Sequence, residues 1–178
     1  MFCHMTRTDG DVLRGSISTP VGRIGVVVRN AKVVEVRFRV NGKTWTAEPI
    51  ARRCSQQVMD KALKQLSEYF AGRRRIFTVP TALDGTDFQV NAWQTLARIP
   101  FGHTVSYKEQ ATLMGRPTAT RAVGAANGRN PIPVIYPCHR VVGVDGSLTG
   151  FSGGMSTKKW LLAHESSVAN RSRTTVRS

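Results

Sequence analysis

The first 82 residues carry two different periods of apolar positions. Apolar and polar residues alternate over positions 34–40, which is the pattern of a strand with one buried face. Over positions 55–71 apolar residues recur every fourth place, which indicates one face of a helix. Strands with turns are predicted at 15–40, and "RRIFTVP" (74–80) predicts a further strand after the helix.

Helix signals dominate the rest of the chain. Thr86 and Gln89 have the spacing of a capping box, and Ser106 and Glu109 repeat that spacing at a second predicted helix. A glycine follows this second helix, and "PTATRAVGAANG" predicts a third helix with its proline in the first turn. Two short helices joined by a glycine turn are typical of a helix-turn-helix.

These patterns divide the chain into three parts. Residues 1–82 are expected to form an N-terminal α+β domain. Residues 83–165 are expected to form a C-terminal, mostly helical domain, closed by the helix "STKKWLLAHE". Residues 166–178 are polar and basic and are expected to be a disordered tail. The fold class is α/β of the α+β kind: a small sheet-plus-helix domain, then a mostly helical domain with a helix-turn-helix.

The chain is strongly basic. Its 178 residues carry a formal net charge of +15, which favours a polyanionic partner such as nucleic acid over a merely solvated basic surface. Residues 1–82 hold 15 Lys and Arg against 6 Asp and Glu, whereas residues 83–165 hold 8 against 5. Most of the excess therefore lies outside the segment with the candidate chemistry.

Several classes of protein do not fit the sequence. The first residues, "MFCHMTRTDGD", have no apolar stretch of the kind found in signal peptides. No run approaches the roughly 18 apolar residues of a membrane span. Three scattered cysteines form no CxxC pair, so neither a disulfide framework nor a zinc ribbon is indicated. Free thiols and a cytoplasmic location are expected.

Small side chains distinguish the third predicted helix. Ala119, Thr120, Ala122 and Gly124 are small, and Arg121 is the long side chain among them. A smooth helix with one protruding arginine suits close approach to a narrow groove better than base readout. The arginine would then fill the gap left by an extruded base. The alternative is an ordinary core helix packed tightly on a neighbour.

"NPIPVIYPCHRVVG" places a thiol beside an imidazole, Cys138 and His139, where an apolar run ends at a proline. A nucleophilic cysteine must become a thiolate, and the histidine is an available base. Adjacent residues do not face each other on a strand or a helix. The chain must therefore turn sharply after Pro137, or a water must link the two groups. Glu165 is the acid expected to orient the imidazole. The alternative is a Cys-His pair without chemistry.

The stretch from "TDFQ" to "LLAHE" resembles the O6-alkylguanine-DNA alkyltransferases, also called methylated-DNA–protein-cysteine methyltransferases. "PCHRVVG" carries the resemblance, together with "RAVGAANGRNPIP" before it and "GSLTGFSGGMSTKKWLLAHE" after it. The resemblance implies direct-reversal DNA repair by a suicide enzyme, with residues 83–165 as its DNA-binding and alkyl-acceptor domain. An alkyl group would pass irreversibly from O6-alkylguanine to Cys138, in a single turnover with base flipping. O4-alkylthymine is a second candidate substrate.

The resemblance also implies roles for individual residues. Cys138 would accept the alkyl group, with His139 as base through water and Glu165 orienting it. Asn130 would hold the turn around the thiol. Tyr107 resembles the family's tyrosine that donates to guanine N3, and Arg121 resembles the arginine that enters the base stack.

Four more residues would form the substrate pocket. The backbone N–H of Ser152 would reach O6, and the carbonyls of Val141 and Cys138 would accept from the exocyclic amine. Pro133 would line the alkyl pocket. Phe151 stands where the family usually has tyrosine, so its ring can stack on the base without a hydroxyl hydrogen bond.

The implied chemistry needs no cofactor and no metal. The expected partner is double-stranded DNA that contains O6-alkylguanine, without a membrane or an obligate protein partner, and the protein is expected to be a monomer. Two other functions compete. A non-enzymatic lesion binder would lack the acceptor cysteine, and a cysteine hydrolase would need a better geometry than adjacent Cys and His provide.

Overall fold

The structure of the protein, a computed structural model, describes residues 11–41 and 53–175. The chain divides into two compact units, residues 1–83 and 84–178, close to the boundary expected after residue 82. Within the described ranges, no helix has the length and apolar character that crossing a membrane requires.

The first unit is a three-stranded antiparallel sheet with one helix. Strands β1 (Val12–Thr19), β2 (Gly22–Arg29) and β3 (Lys32–Phe38) lie in that order in the sheet. Helix α1 (Arg53–Phe70) packs on all three strands. The strands and the helix lie where the two apolar periods predict them.

The sequence prediction of a strand at 74–80 is wrong. Here the structure forms a single parallel bridge, between Val33 and Thr81. The side chain of Gln65 in α1 accepts from the Thr78 backbone N–H at 2.9 Å and donates to the Thr78 hydroxyl at 2.7 Å. The side chain of Gln65 thus accepts the Thr78 N–H that, in a strand, would donate to a neighbouring strand.

The second unit is mostly helical, and it contains the expected helix-turn-helix. Both predicted capping boxes form, at Thr86–Gln89 and at Ser106–Glu109. The elements of the unit follow in chain order: α2 (Asp87–Leu96), β4 (Val105–Ser106), α3 (Tyr107–Leu113), α4 (Thr120–Gly128), a 3-10 helix (Cys138–Arg140), β5 (Val141–Val142) and α5 (Met155–Thr175). The short strands β4 and β5 pair in parallel.

Buried apolar and amide side chains fix α4 against its neighbours. The core between α2, α3 and α4 is formed by small and medium side chains: Ala92, Ala111, Met114, Val123 and Ala126. Gln110 and Asn127 exchange a reciprocal amide pair across α3 and α4, at 2.7 and 3.3 Å. Trp93 Nε1 donates to the Ala126 carbonyl at 2.8 Å. These bonds satisfy the buried polar groups, so one arrangement of the helices is specified.

Two helix predictions need correction. Pro117 lies in a turn, and α4 begins three residues later at Thr120. The prediction of a disordered tail is wrong for residues 166–175, because α5 continues to Thr175. Val168 is buried and continues the inward face of that helix, so the tail has an apolar anchor that composition alone does not show. Residues 176–178 lie outside the described residues.

Candidate active site

Asn130 organises the turn that leads to Cys138. Its Nδ2 donates to the Tyr136 carbonyl at 2.7 Å, and its Oδ1 accepts from the Ile132 N–H at 3.0 Å. The chain then turns after Pro137 into the 3-10 helix that begins at Cys138. The structure thus has the sharp turn after Pro137 that one of the two sequence alternatives requires.

Val134 gives this turn a strained backbone. It has a φ of 74° and is 1% exposed. A β-branched residue rarely adopts this left-handed region, at a cost of about 1–3 kcal/mol. The surrounding bonds must therefore determine the turn, and they include Tyr136 N to Ile132 O at 3.0 Å and Cys138 N to Tyr136 O at 2.8 Å. The position of the thiol is thus set by the fold before any substrate binds.

Glu165, on α5, lies against the imidazole of His139. Its Oε1 is 2.9 Å from His139 Nε2, and both side chains are buried. Arg140 binds the same carboxylate through Nε at 2.9 Å and Nη2 at 3.0 Å. The N–H of Gly102 donates to Oε2 at 2.9 Å. Glu165 therefore accepts from three residues in two segments of the unit and is fixed in place.

Gly102 needs to be glycine at this contact. Its φ is 77°, and a Cβ there would lie 3.0 Å from the Cβ of Ala169. The loop after α2 can thus approach α5 closely enough for its N–H to reach Glu165.

Burial and charge set the protonation states of the three groups. Burial raises the pKa of the Cys138 thiol to about 11, although a hydrogen bond from Asn130 and the charge of Lys158 oppose it. Burial lowers the pKa of His139, against the opposing effect of Glu165. Burial alone would raise the pKa of Glu165, but His139 and Arg140 outweigh it and hold that pKa well below its usual value. At neutral pH the site therefore holds a thiol, a neutral imidazole and a carboxylate.

An open cleft of about 580 Å³ lies next to this group. Phe151 and Ser152, two of the residues expected in the substrate pocket, line it. The other lining residues come from α3, α4 and the loop between β5 and α5: Tyr107, Thr120, Gly124, Gly128, Thr149 and Gly150. Pro133 and Val141 are buried and lie outside this lining. Cys138 is also outside it and is 5% exposed.

Tyr107 and Phe151 are the two aromatic residues that line the cleft. The Tyr107 hydroxyl accepts a hydrogen bond from Thr149 Oγ1 at 3.0 Å. The Phe151 ring meets the His139 ring edge-on, with centroids 6.4 Å apart and an interplanar angle of 83°. Phe151 thus places an apolar ring beside the imidazole and has no hydroxyl to offer a substrate.

The two interpretations of α4 describe its two faces. Val123, Ala126 and Asn127 are buried, so one face is a core face. Arg121 and Ala122 are exposed on the other side. Three further candidates are half-buried: Ala119, Thr120 and Gly124. The helix therefore presents a smooth outer face with one arginine.

Sequence reasoning assigned no role to Arg140 and missed Lys158. Lys158 is 0% exposed, and its Nζ donates to the carbonyls of Val141 at 2.7 Å and Thr149 at 3.0 Å. A signal was present, because Lys158 lies seven residues before Glu165 and so on the same side of the predicted closing helix.

A helix-turn-helix beside a cleft, with a buried thiol next in the chain to an imidazole that contacts a carboxylate, is typical of a DNA-binding protein with a candidate nucleophile. Residues 87–167 match the DNA-binding domain of 6-O-methylguanine DNA methyltransferase, and residues 12–83 match the ribonuclease-like domain of the same family. The chain belongs to this family. The family and the fold class expected from the sequence are thus confirmed.

Relatives match along both units. The methylated-DNA–protein-cysteine methyltransferase of Salmonella typhimurium is 52% identical over 171 residues, covering 86% of this chain and 95% of its own. The crystal structure of Mycobacterium tuberculosis O6-methylguanine methyltransferase has a TM-score of 0.75 at 40% identity, over 88% of this chain and 93% of its own. That of Mycobacterium tuberculosis OGT in complex with DNA has a TM-score of 0.76 at 41% identity, over 87% and 93%.

Proposed function

We propose that the protein repairs DNA by moving an alkyl group from O6 of guanine to the sulfur of Cys138. The sulfur–carbon bond forms as the carbon–O6 bond breaks, and the electron pair of the broken bond stays on guanine O6. The thiol proton passes to the imidazole and returns through solvent to the guanine. The observation that carries the proposal is the 2.9 Å contact of His139 with Glu165, directly beside Cys138.

The base is His139. Its pKa is lowered by burial, so the imidazole is neutral at pH 7 and can accept a proton from a thiol whose pKa is about 11. Because Nε2 donates to Glu165, Nδ1 is the nitrogen that accepts the proton through an intervening water. Glu165 stabilises the imidazolium that forms, and Arg140 keeps the carboxylate in position.

Donors around the cleft stabilise the leaving guanine. The Tyr107 hydroxyl donates to N3, and the backbone N–H of Ser152 donates to O6. The carbonyls of Cys138 and Val141 accept from the exocyclic amine. Phe151 stacks on the base, and Pro133 contacts the alkyl group. Donors aimed at atoms where charge develops lower the barrier more than they strengthen substrate binding.

The thioether formed at Cys138 is irreversible, so each protein molecule reacts once. The partner is double-stranded DNA with O6-alkylguanine, held by the outer face of α4 and by the basic surface that gives the net charge of +15. The damaged nucleotide flips out to reach the cleft, and Ala119, Thr120, Ala122 and Gly124 allow close approach.

O4-alkylthymine is a further substrate candidate. The protein acts as a monomer in a reducing cytoplasm, which keeps the thiol available.

Intact-protein mass spectrometry tests the proposal. After incubation with duplex DNA that contains O6-methylguanine, the protein is expected to gain one methyl group, at Cys138, and Cys138→Ser none. The other cysteine among the described residues, Cys54, is an internal control in the peptide map. Tight binding without a mass gain would instead indicate a lesion binder, and repeated turnover without a mass gain would indicate a hydrolase.

Arg121→Ala is expected to slow transfer from DNA roughly tenfold, with little effect on free O6-methylguanine base. Extrusion of a base costs a few kcal/mol, and an inserted side chain offsets part of it, here about 1.4 kcal/mol. The measurement compares single-turnover rates on the two substrates. Arg129→Ala is the matched control, since Arg129 is an exposed arginine just after α4. Equal slowing by both variants would show that charge alone matters and that the role of Arg121 is wrong.

A further inference from the structure

Lys158 is a fully buried lysine that the proposed reaction does not use. Its ammonium group has no carboxylate partner among the described residues. Instead it donates to two backbone carbonyls, Val141 O at 2.7 Å and Thr149 O at 3.0 Å. Burying an ammonium group is costly unless it is well bonded. A methionine would fill the same space without that cost, so the charge calls for an explanation.

The two carbonyls belong to different segments, of which only that of Thr149 lines the cleft. Val141 directly follows the 3-10 helix of Cys138, and Thr149 belongs to the loop that lines the cleft. One ammonium group therefore joins the strand beside the thiol to the loop that would receive the base. Through the same loop residue it reaches Tyr107, because the Thr149 hydroxyl donates to the Tyr107 hydroxyl at 3.0 Å. Lys158 Nζ also lies 6.0 Å from the centroid of the Tyr107 ring.

The charge of Lys158 also acts on the thiol. Among the groups near Cys138, His139 and Arg140 both bond to the carboxylate of Glu165. The charge of Lys158 lowers the pKa of Cys138 against the larger effect of burial. The effect is reciprocal, since the thiolate opposes the fall that burial causes in the pKa of Lys158.

We propose that Lys158 is a positioning residue for alkyl transfer, which holds the loop at Thr149, and with it the Tyr107 hydroxyl, against the strand that follows Cys138. The ammonium group fixes the cleft in the form that receives the flipped base and favours the thiolate there. This inference rests on the proposed function and adds to it a residue that touches neither the DNA nor the alkyl group.

Three variants separate hydrogen bonding from charge. Lys158→Met removes both, Lys158→Gln keeps one donor group without the charge, and Lys158→Arg keeps the charge. Lys159→Met is the matched control, because Lys159 is the exposed neighbour and loses the same formal charge. Thr149→Val tests the hydroxyl contact to Tyr107 while it leaves the backbone carbonyl for Lys158.

Two readouts are measured on each variant. The first is the single-turnover methyl transfer from DNA, resolved into apparent affinity and limiting rate. The second is the pH profile of alkylation of Cys138 by chloroacetamide, a small neutral reagent, followed by peptide mass spectrometry. The second readout needs no DNA and reports the thiol directly, so a merely structural lysine would not shift it.

Lys158→Met is expected to lower the limiting rate roughly 100-fold, the cost of misplacing reacting groups by about 1 Å. It is also expected to shift the alkylation profile to higher pH. Lys158→Gln should recover part of the limiting rate, but its alkylation profile should stay shifted to higher pH. Lys158→Arg should keep the wild-type alkylation profile. Lys159→Met should match the wild type in both readouts. Thr149→Val should lower the limiting rate without moving the profile.

A wild-type rate and profile in Lys158→Met would overturn the inference. So would a loss of rate in Lys158→Met that is matched by Lys159→Met. If the wild-type protein itself gains no methyl group from DNA, the proposed function fails instead. The chloroacetamide profile still decides in that case whether Lys158 acts on the thiol.

Discussion

Glu165→Gln is expected to lower the free energy of unfolding by about 3–5 kcal/mol, the usual loss when one partner of a buried ion pair is removed. The carboxylate accepts from His139, from two nitrogens of Arg140 and from Gly102. A glutamine amide has the same shape but turns an N–H2 group toward these donors, and it leaves the arginine charge buried. Urea denaturation measures this loss. Methyl transfer should fall with it, because the imidazole loses the group that orients it.

Asp84→Asn is the matched control, since it makes the same change at an exposed carboxylate. It should leave both the stability and the transfer rate close to the wild type. A Glu165→Gln protein as stable as this control would show that the buried carboxylate is not ionised in the fold.

The same carboxylate gives the protein a defined response to acid. The pKa of Glu165 in the folded state lies below its usual value of 4.5, so the unfolded state binds the proton more readily. Its contribution to stability is therefore complete above pH 4.5 and is lost as the pH falls from there toward the folded-state pKa. Below pH 4.5, the stability of the wild type should fall more steeply than that of Glu165→Gln.

His139→Gln is expected to slow methyl transfer at pH 7 by roughly 100- to 10,000-fold, the usual contribution of a general base. The glutamine amide can still donate to Glu165, so the carboxylate keeps a partner. Without the base, the reaction depends on spontaneous ionisation of a thiol whose pKa is about 11. The rate of the variant should then rise roughly tenfold per pH unit, since the thiolate fraction does so below its pKa.

Single-turnover transfer between pH 7 and pH 9 is the measurement, with His103→Gln as the matched change at an exposed histidine. The wild type and this control should respond much less steeply to pH. A His139→Gln protein that reacts at the wild-type rate at pH 7 would remove the imidazole from the mechanism.

Much of the fold could be predicted because its signals are local. The boxes at Thr86 and Ser106 involve residues three apart, so the sequence contains both partners of each bond. The sheet follows from alternation, which forces one face of each strand inward. The false strand at 74–80 shows the limit of this logic. Its pattern is strand-like, but a distant side chain, Gln65, takes the backbone N–H of Thr78.

The site could be predicted only as far as residue types reveal it. Cys138, His139 and Glu165 were identified together, and the structure brings the last two into contact. The position of the thiol depends on the strained φ of Val134, which no local pattern indicates. Spacing from Glu165 indicates the side of α5 on which Lys158 lies, but its burial could not be predicted, since the carbonyls that bind it come from segments 9 and 17 residues away.

The placement of Lys158 and Glu165 on α5 restricts where the gene can gain or lose codons. Seven residues make almost two turns of a helix with 3.6 residues per turn, so both side chains leave α5 on one side. Adding or removing one residue between them would rotate one by about 100° relative to the other, and either the carboxylate or the ammonium would leave its partners. The turn at Val144, which is 86% exposed, has no such constraint. Among natural variants, insertions and deletions should therefore be found in that turn and be absent from the eight-residue stretch 158–165.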